Sequence, residues 1–281
     1  MTPLRKEDIT LFCEDAPRGL TARLIEAALQ DLRKEPGLGF AGLVAPNGSS
    51  SKNDVQVWTR FARIQDYRAV GLRDRDFLSK DLVADLRSKA FDRDPKNVTV
   101  WPLPRRCIES YLLDADVLCP ALPGVDPTEL RALVDVAAQA RRWLDVARGA
   151  VEAFLWQWRQ VQRRSVAGRP ADRASAIVAA TQIAELAKTE ATRLCDEGRL
   201  AAQVDALAED MEADGPLRHR VDGKELILDV QVALMSAHPT QVPAGDLLSA
   251  LRRVAHRQPP AGLVNDLRSL LLAFPPEWRQ T

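Results

Sequence analysis

The chain has 281 residues, 46% apolar and 28% charged, with lysine plus arginine and aspartate plus glutamate at 39 each. That much apolar sequence can bury a real core, which excludes a disordered chain. With no net charge there is no global field to attract a polyanion, so any nucleic-acid contact must come from a local basic patch.

In chain order, "ITLFCED" (Ile9 to Asp15) reads as a buried strand, and "TARLIEAALQDLRK" (Thr21 to Lys34) as a helix with Leu24, Ala28 and Leu32 on one face. "GFAGLVAP" (Gly39 to Pro46) predicts a second strand ending in the turn-rich "NGSSSKND". Helical "VQVWTRFARIQ" leads to a third strand, "AVGLRD", and "NVTVWPL" (Asn97 to Leu103) predicts a fourth. Strands alternating with helices imply βαβ units, hence an α/β fold with a parallel sheet flanked by helices. From Thr128 to Arg164 apolar residues recur at helical spacing, and after the turn "SVAGRPAD" a second helical run begins at Arg173. This predicts a long antiparallel helical hairpin, with "RHRVDGKELILDV" returning as a turn and then a short strand or helix before a helical C-terminus. The expected organisation is an α/β core over 1–118, a hairpin insertion over 119–215, and a return to the core with the helical tail over 216–281.

Cys13, Cys107, Cys119 and Cys195 form no CxxC pair, and His219, His238 and His256 show no HExxH spacing. A zinc ribbon or redox motif is therefore excluded, and a metal would have oxygen ligands, as magnesium and manganese do. No run of about 18 apolar residues occurs, and the N-terminus has no apolar signal core, so a cytoplasmic chain without a membrane role is expected.

Open α/β sheets bind ligands beyond the carboxyl ends of their strands. Four acids stand there: Glu14 after the first strand, Asp74 and Asp76 after the third, and Glu109 after the fourth. Side chains two apart on an extended segment point the same way, so Asp74 and Asp76 can converge, and a divalent cation would remove the cost of their repulsion. The same DxD is also ordinary turn and cap chemistry. Glu109 lies in apolar "CIESYLL", where a buried salt bridge to Arg105 or Arg106 competes with metal ligation. Arg73, Arg75, Arg105 and Arg106 would give the crevice a basic rim for a phosphate backbone. Trp101 and Tyr111 read as core; Trp156 and Trp158, about 160° apart on an ideal helix, leave one tryptophan outward for a partner.

A strand-ending glutamate with a later strand-ending DxD resembles the Toprim fold of topoisomerases, primases and OLD-type nucleases. More narrowly, "DRDF" (Asp74 to Phe77), Trp101, "RRCIESYLLD" (Arg105 to Asp114) and "DGKELIL" (Asp222 to Leu228) resemble, in order, the OLD-related Toprim-like proteins paired with an ABC-type ATPase. The resemblance covers roughly 5–118 and 217–235. It implies a Mg2+- or Mn2+-dependent endonuclease acting in anti-phage defence on DNA or RNA, tRNA included. Glu14, Asp74, Asp76 and Glu109 would be its metal ligands, Glu14 alternatively a general base, and Lys224 would sit at the scissile phosphate. An ATPase partner is implied, and the hairpin is the natural element for docking to it or to a second copy. The chain departs from the pattern at Arg18, where many relatives carry a second acid, and in "CED", which replaces a glycine-containing turn. Those departures keep open a catalytically silent Toprim interaction module. A primase or topoisomerase is the other alternative; the latter would need Tyr67 or Tyr111 as nucleophile.

Overall fold

A computed structural model describes residues 9–14, 19–35, 44–49, 52–76, 78–92, 100–163, 172–194, 196–213, 215–241 and 246–279. It gives the side chains of all of these except 44–49, 52–54, 153–163, 176, 179–180, 183, 187, 194, 197, 213 and 279. Four strands, β1 (Ile9–Glu14), β2 (Val44–Ser49), β3 (Arg68–Arg73) and β4 (Val100–Pro102), form one sheet in the order β2-β1-β3-β4. Every pairing is parallel, so the carboxyl ends at Glu14, Ser49, Arg73 and Pro102 share one edge of the sheet. β1 and β3 are central and covered on both faces, which is why they read as nearly continuous apolar runs: Ile9, Leu11, Phe12, Cys13, Ala69, Val70 and Leu72 are all buried.

The second strand departs from the sequence reading. β2 continues through Asn47, Gly48 and Ser49, which pair with Phe12, Cys13 and Glu14, where a turn is predicted. Backbone pairing to β1 overrides the turn chemistry of these residues, and Pro46, lacking an N–H, is tolerated because β2 is an edge strand. Residues 39–43 and 97–99 of the expected strands lie outside the described residues.

Helix α1 (Leu20–Leu32) buries Leu24, Ile25, Ala28, Leu29 and Leu32. Helix α2 (Lys52–Ile64) packs on β3 at Gly71, where an added Cβ would stand 2.8 Å from Thr59 Oγ1 and 2.9 Å from Val55 Cγ1. α3 (Lys80–Ser88), unmarked in the sequence reading, is capped by Ser79, whose hydroxyl accepts from Leu82 N. A wholly buried 3₁₀ helix, Ile108–Leu113, follows β4 and leads into α4 (Ala115–Ala121). α5 (Pro127–Arg163) is one unbroken helix, as its periodicity predicts; Asp126 caps it, accepting from Thr128 N at 2.8 Å and Glu129 N at 3.1 Å.

Two further helices follow α5 rather than one: α6 (Arg173–Leu194) and α7 (Glu197–Ala213), the second capped by Asp196 through Arg199 N at 3.0 Å. The C-terminal part is α8 (Gly223–Ala237), α9 (Leu247–Arg257), α10 (Ala261–Leu272) and α11 (Pro276–Arg279). "GKELILDV" is therefore helix, not strand.

The chain divides into two compact units, 1–140 with 216–281, and 141–215. In the first, the sheet, the 3₁₀ helix, α8, α9 and α10 share one core, with Tyr111, Leu112, Ile227, Leu251 and Leu267 among its buried members. In the second, Val146 and Ala150 of α5 and Ala208 and Met211 of α7 are buried, and Arg142 Nη2 meets Glu212 Oε1 at 2.6 Å. Among the described residues no helix is long and apolar enough to cross a membrane.

Candidate functional site

β3 delivers Arg73, Asp74, Arg75 and Asp76 to the carboxyl edge of the sheet. Asp76 adopts φ +51°, a left-handed conformation that costs an L-residue about 1–2 kcal/mol and is held only where the surroundings over-determine it. Here the Asp76 N–H donates to Arg106 O at 2.9 Å, and Arg73 Nη2 lies 3.3 Å from Asp76 Oδ2. Arg73 also reaches back to β1, its Nε 3.9 Å from Glu14 Oε1. Glu14, Arg73 and Asp76 thus form one acid–base–acid group at the ends of two adjacent strands.

The second group comes from residues distant in sequence. The 3₁₀ helix buries Glu109 to 5% exposure. The first turn of α8 lies directly on it: Gly223 N donates to Cys107 Sγ at 3.2 Å across 116 residues. Only glycine fits at that contact, because a Cβ on Gly223 would stand 2.6 Å from Ser110 N and 2.9 Å from the Glu109 carbonyl carbon. Asp222 caps α8, accepting from Lys224 N at 3.1 Å and Glu225 N at 3.3 Å, which sets the direction of the turn. The outcome is Lys224 Nζ at 3.3 Å from Glu109 Oε1. The Glu109 charge, against some loss from burial, holds the Lys224 ammonium above its ordinary pKa, and the Asp74 charge adds to this. Burial, then the charges of Glu109 and Asp74, push the Cys107 thiol up to about 12, so Cys107 is an inert packing group and not a nucleophile. Asp74 therefore lies within the electrostatic reach of the Glu109–Lys224 pair.

The expected basic rim is not what the arginines form. Arg75 is 3% exposed and donates through Nε to Leu78 O at 2.8 Å, stapling the turn after β3. Arg105 is 8% exposed; its Nη1 and Nη2 each meet one carboxylate oxygen of Asp114 at 2.7 Å, and its guanidinium lies 4.2 Å from the Tyr111 ring centroid. Arg106 is buried too, with its backbone carbonyl on Asp76 N and its N–H on His219 O at 2.9 Å. A buried guanidinium needs its donors satisfied internally, and the side chains of Arg75 and Arg105 are bonded to the loops that shape the site. Arg73 stands between the carboxylates of Glu14 and Asp76. Glu109 pairs with Lys224, not with Arg105 or Arg106. Trp101 and Tyr111 are core, as expected.

Carboxylates are the right donors for a hard divalent cation. As arranged they do not gather one: among the described residues no group of three or more His, Cys, Asp or Glu side chains stands close enough to hold a metal ion. Arg73 occupies the space between Glu14 and Asp76, and Lys224 faces Glu109, so basic side chains of the chain itself balance these charges. Asp15, Arg18, Phe77, Cys195, most of the tip 164–171 and the side chains of Trp156 and Trp158 lie outside the described residues.

One element beside the candidate site escapes sequence reasoning. Around the 3₁₀ helix runs a polar frame in which Arg105 Nη1 donates to Ser110 O at 3.1 Å and Tyr111 Oη donates to Asp266 Oδ2 of α10 at 2.6 Å, across 155 residues. The frame fixes both ends of the segment that carries Glu109. Burial and the Asp266 charge drive the Tyr111 phenol well above its ordinary range, which disqualifies it as a nucleophile. Nothing in "NDLRSLLL" marked Asp266 as the partner of Tyr111 in the sequence. Comparison of the chain with family models, with curated proteins and with solved structures finds no match in any of the three.

Proposed function

We propose that the chain is a Toprim-type, Mg2+- or Mn2+-dependent nuclease that hydrolyses phosphodiester bonds of DNA or RNA. Its setting would be an effector under the control of an ABC-type ATPase in anti-phage defence, with α5 and its following helices as docking element for that partner or a second copy. The observation that carries the reading is the left-handed Asp76 at the carboxyl edge of a parallel sheet, linked to Glu14 through Arg73, with α8 setting Lys224 on Glu109 within the electrostatic reach of Asp74. Glu14, Asp74, Asp76 and Glu109 are the residues that would hold the cation. When bound, it would supply positive charge at the phosphoryl oxygens and acidify a water.

The chain's own contribution is electrostatic and positional. Lys224, with its side chain 65% exposed, keeps its proton at neutral pH and offers it to a phosphate oxygen without leaving Glu109. Arg73 presents a second cation between the acids, and the Asp76 turn fixes the spacing. A catalytically silent Toprim module that binds only partners is the second reading, favoured by the absence of a three-ligand group among the described residues. Of the two tyrosines that a topoisomerase could use, Tyr111 is buried against Asp266 and unsuited to attack.

Incubating the purified protein with plasmid DNA and with total tRNA, in Mg2+, Mn2+ or EDTA, tests the reading. Cation-dependent cleavage abolished by Asp74→Ala and by Glu109→Gln is expected. Cleavage that survives both variants refutes the site. No cleavage under any condition, with the ATPase and its trigger present, favours the silent module.

A further inference from the structure

Three of the four arginines nearest the carboxylates are buried within the fold, so a phosphate backbone reaching this edge of the sheet needs other cations. Five basic side chains collect on two neighbouring helices of the same unit. α9 carries Arg252, Arg253, His256 and Arg257 at i, i+1, i+4 and i+5, which is one face; Leu247, Ala250, Leu251 and Ala255 are buried on the other. α1 packs against α9 and adds Arg23. Burial, and then the charges of Arg23 and Arg252, hold the His256 imidazole below its ordinary pKa, which places the three side chains together.

Arg23, Arg253, His256 and Arg257 are exposed, and half-buried Arg252 has an Nε with no hydrogen-bond partner among the described residues. Among those residues, none of the five side chains makes an ion pair, and exposed Glu26, one turn from Arg23 on α1, does not pair with it. Folding does not call for such a cluster. A cation in the last turn suits the helix dipole, which accounts for Arg257. Arg253 and Arg257 are like charges at i, i+4, which oppose the helix, and Arg23 adds repulsion from a second element.

The location matters as much as the charge. α1 begins six residues after Glu14, so Arg23, in its first turn, stands at the carboxyl edge of the sheet, beside the candidate site. We propose that Arg23, Arg252, Arg253, His256 and Arg257 form the surface that receives the sugar–phosphate backbone of a nucleic acid and leads it to the carboxylates. The second half of this statement rests on the nuclease reading; the first does not.

The test is equilibrium binding in EDTA, by fluorescence anisotropy, of a labelled single-stranded RNA and of a DNA duplex over a series of salt concentrations. The triple variant Arg252→Gln, Arg253→Gln, Arg257→Gln should bind roughly tenfold or more weakly, and its log Kd against log salt slope should fall by roughly two to three. A control triple, Lys34→Gln, Arg60→Gln, Lys89→Gln, removes the same charge elsewhere and should bind as the parent does. Thermal melts confirm that both triples fold; if the first does not, Arg253→Gln with Arg257→Gln, both on exposed positions, takes its place. Equal weakening by patch and control variants, or unchanged binding by the patch variant, overturns the proposal. So does patch-dependent capture of phosphatidylserine vesicles without nucleic-acid binding. Patch-dependent binding by a protein that never cleaves leaves the surface standing and sinks the nuclease reading; cleavage with patch-independent binding does the reverse.

Discussion

The Glu14–Arg73–Asp76 group and the Glu109–Lys224 pair are built in opposite ways. Glu14, Arg73 and Asp76 come from adjacent strands, their ion pairs are long, at 3.9 and 3.3 Å, and their side chains retain 13–30% exposure. Glu109 is buried in a 3₁₀ helix clamped by Arg105, anchored through Tyr111 to α10 and covered by α8. The first half is joined by long, partly exposed ion pairs; the second is fixed by packing.

Arg105→Ala should break the fixed half most severely. It leaves Asp114 without its bidentate partner in a mostly buried setting, a loss of about 3–5 kcal/mol, read as a lower urea midpoint. Asp114→Asn should cost about 1.5–3 kcal/mol at neutral pH, and this cost should vanish in acid. Burial raises the Asp114 carboxyl, but hydrogen bonds and charges from His219 and Arg105 outweigh it and hold the group below its ordinary 3.8. An acid depressed on folding contributes its stability above the unfolded pKa and loses it as the pH falls through the folded one. Unfolding free energies of parent and variant should therefore converge below pH 3.8; a constant difference would refute the ion-pair account.

Gly223→Ala should cost about 1–3 kcal/mol by overpacking, because the added methyl meets the backbone at Ser110 N and the Glu109 carbonyl carbon. It should also abolish cleavage by parting Lys224 from Glu109. The smallest effect belongs to the loose half: Arg73→Gln should change stability by less than about 1 kcal/mol while lowering cleavage. A loss as large as that of Arg105→Ala would show the two halves to be equally rigid.

Sequence legibility follows the same division. β1, β3 and α5 were readable because buried parallel strands are continuous apolar runs and a long helix repeats its apolar positions. Glu14, Asp74 and Asp76 could be placed at the carboxyl edge from the strands they follow, whereas Glu109 lies in a 3₁₀ helix that the sequence reading did not mark. The fate of the arginines was not: Arg105 has its partner nine residues on, and nothing in "PRRC" tells a buried clamp from a solvated rim. β2 ran on through "NGS" because pairing with β1 decided what local turn chemistry could not. The basic surface was hidden because Arg23 and α9 stand near opposite ends of the chain.

The seam between Cys107 and Gly223 also sets a schedule. A chain leaving the ribosome displays Glu14, Asp74, Asp76 and Glu109 early, yet the helix that lays Lys224 on Glu109 emerges only 116 residues after Cys107. Domains fold as their segments become available during synthesis. For much of its own translation, beside the messenger and transfer RNAs that are making it, this protein therefore carries its acids without the lysine. The pair of Glu109 with Lys224 forms only once α8 has been made.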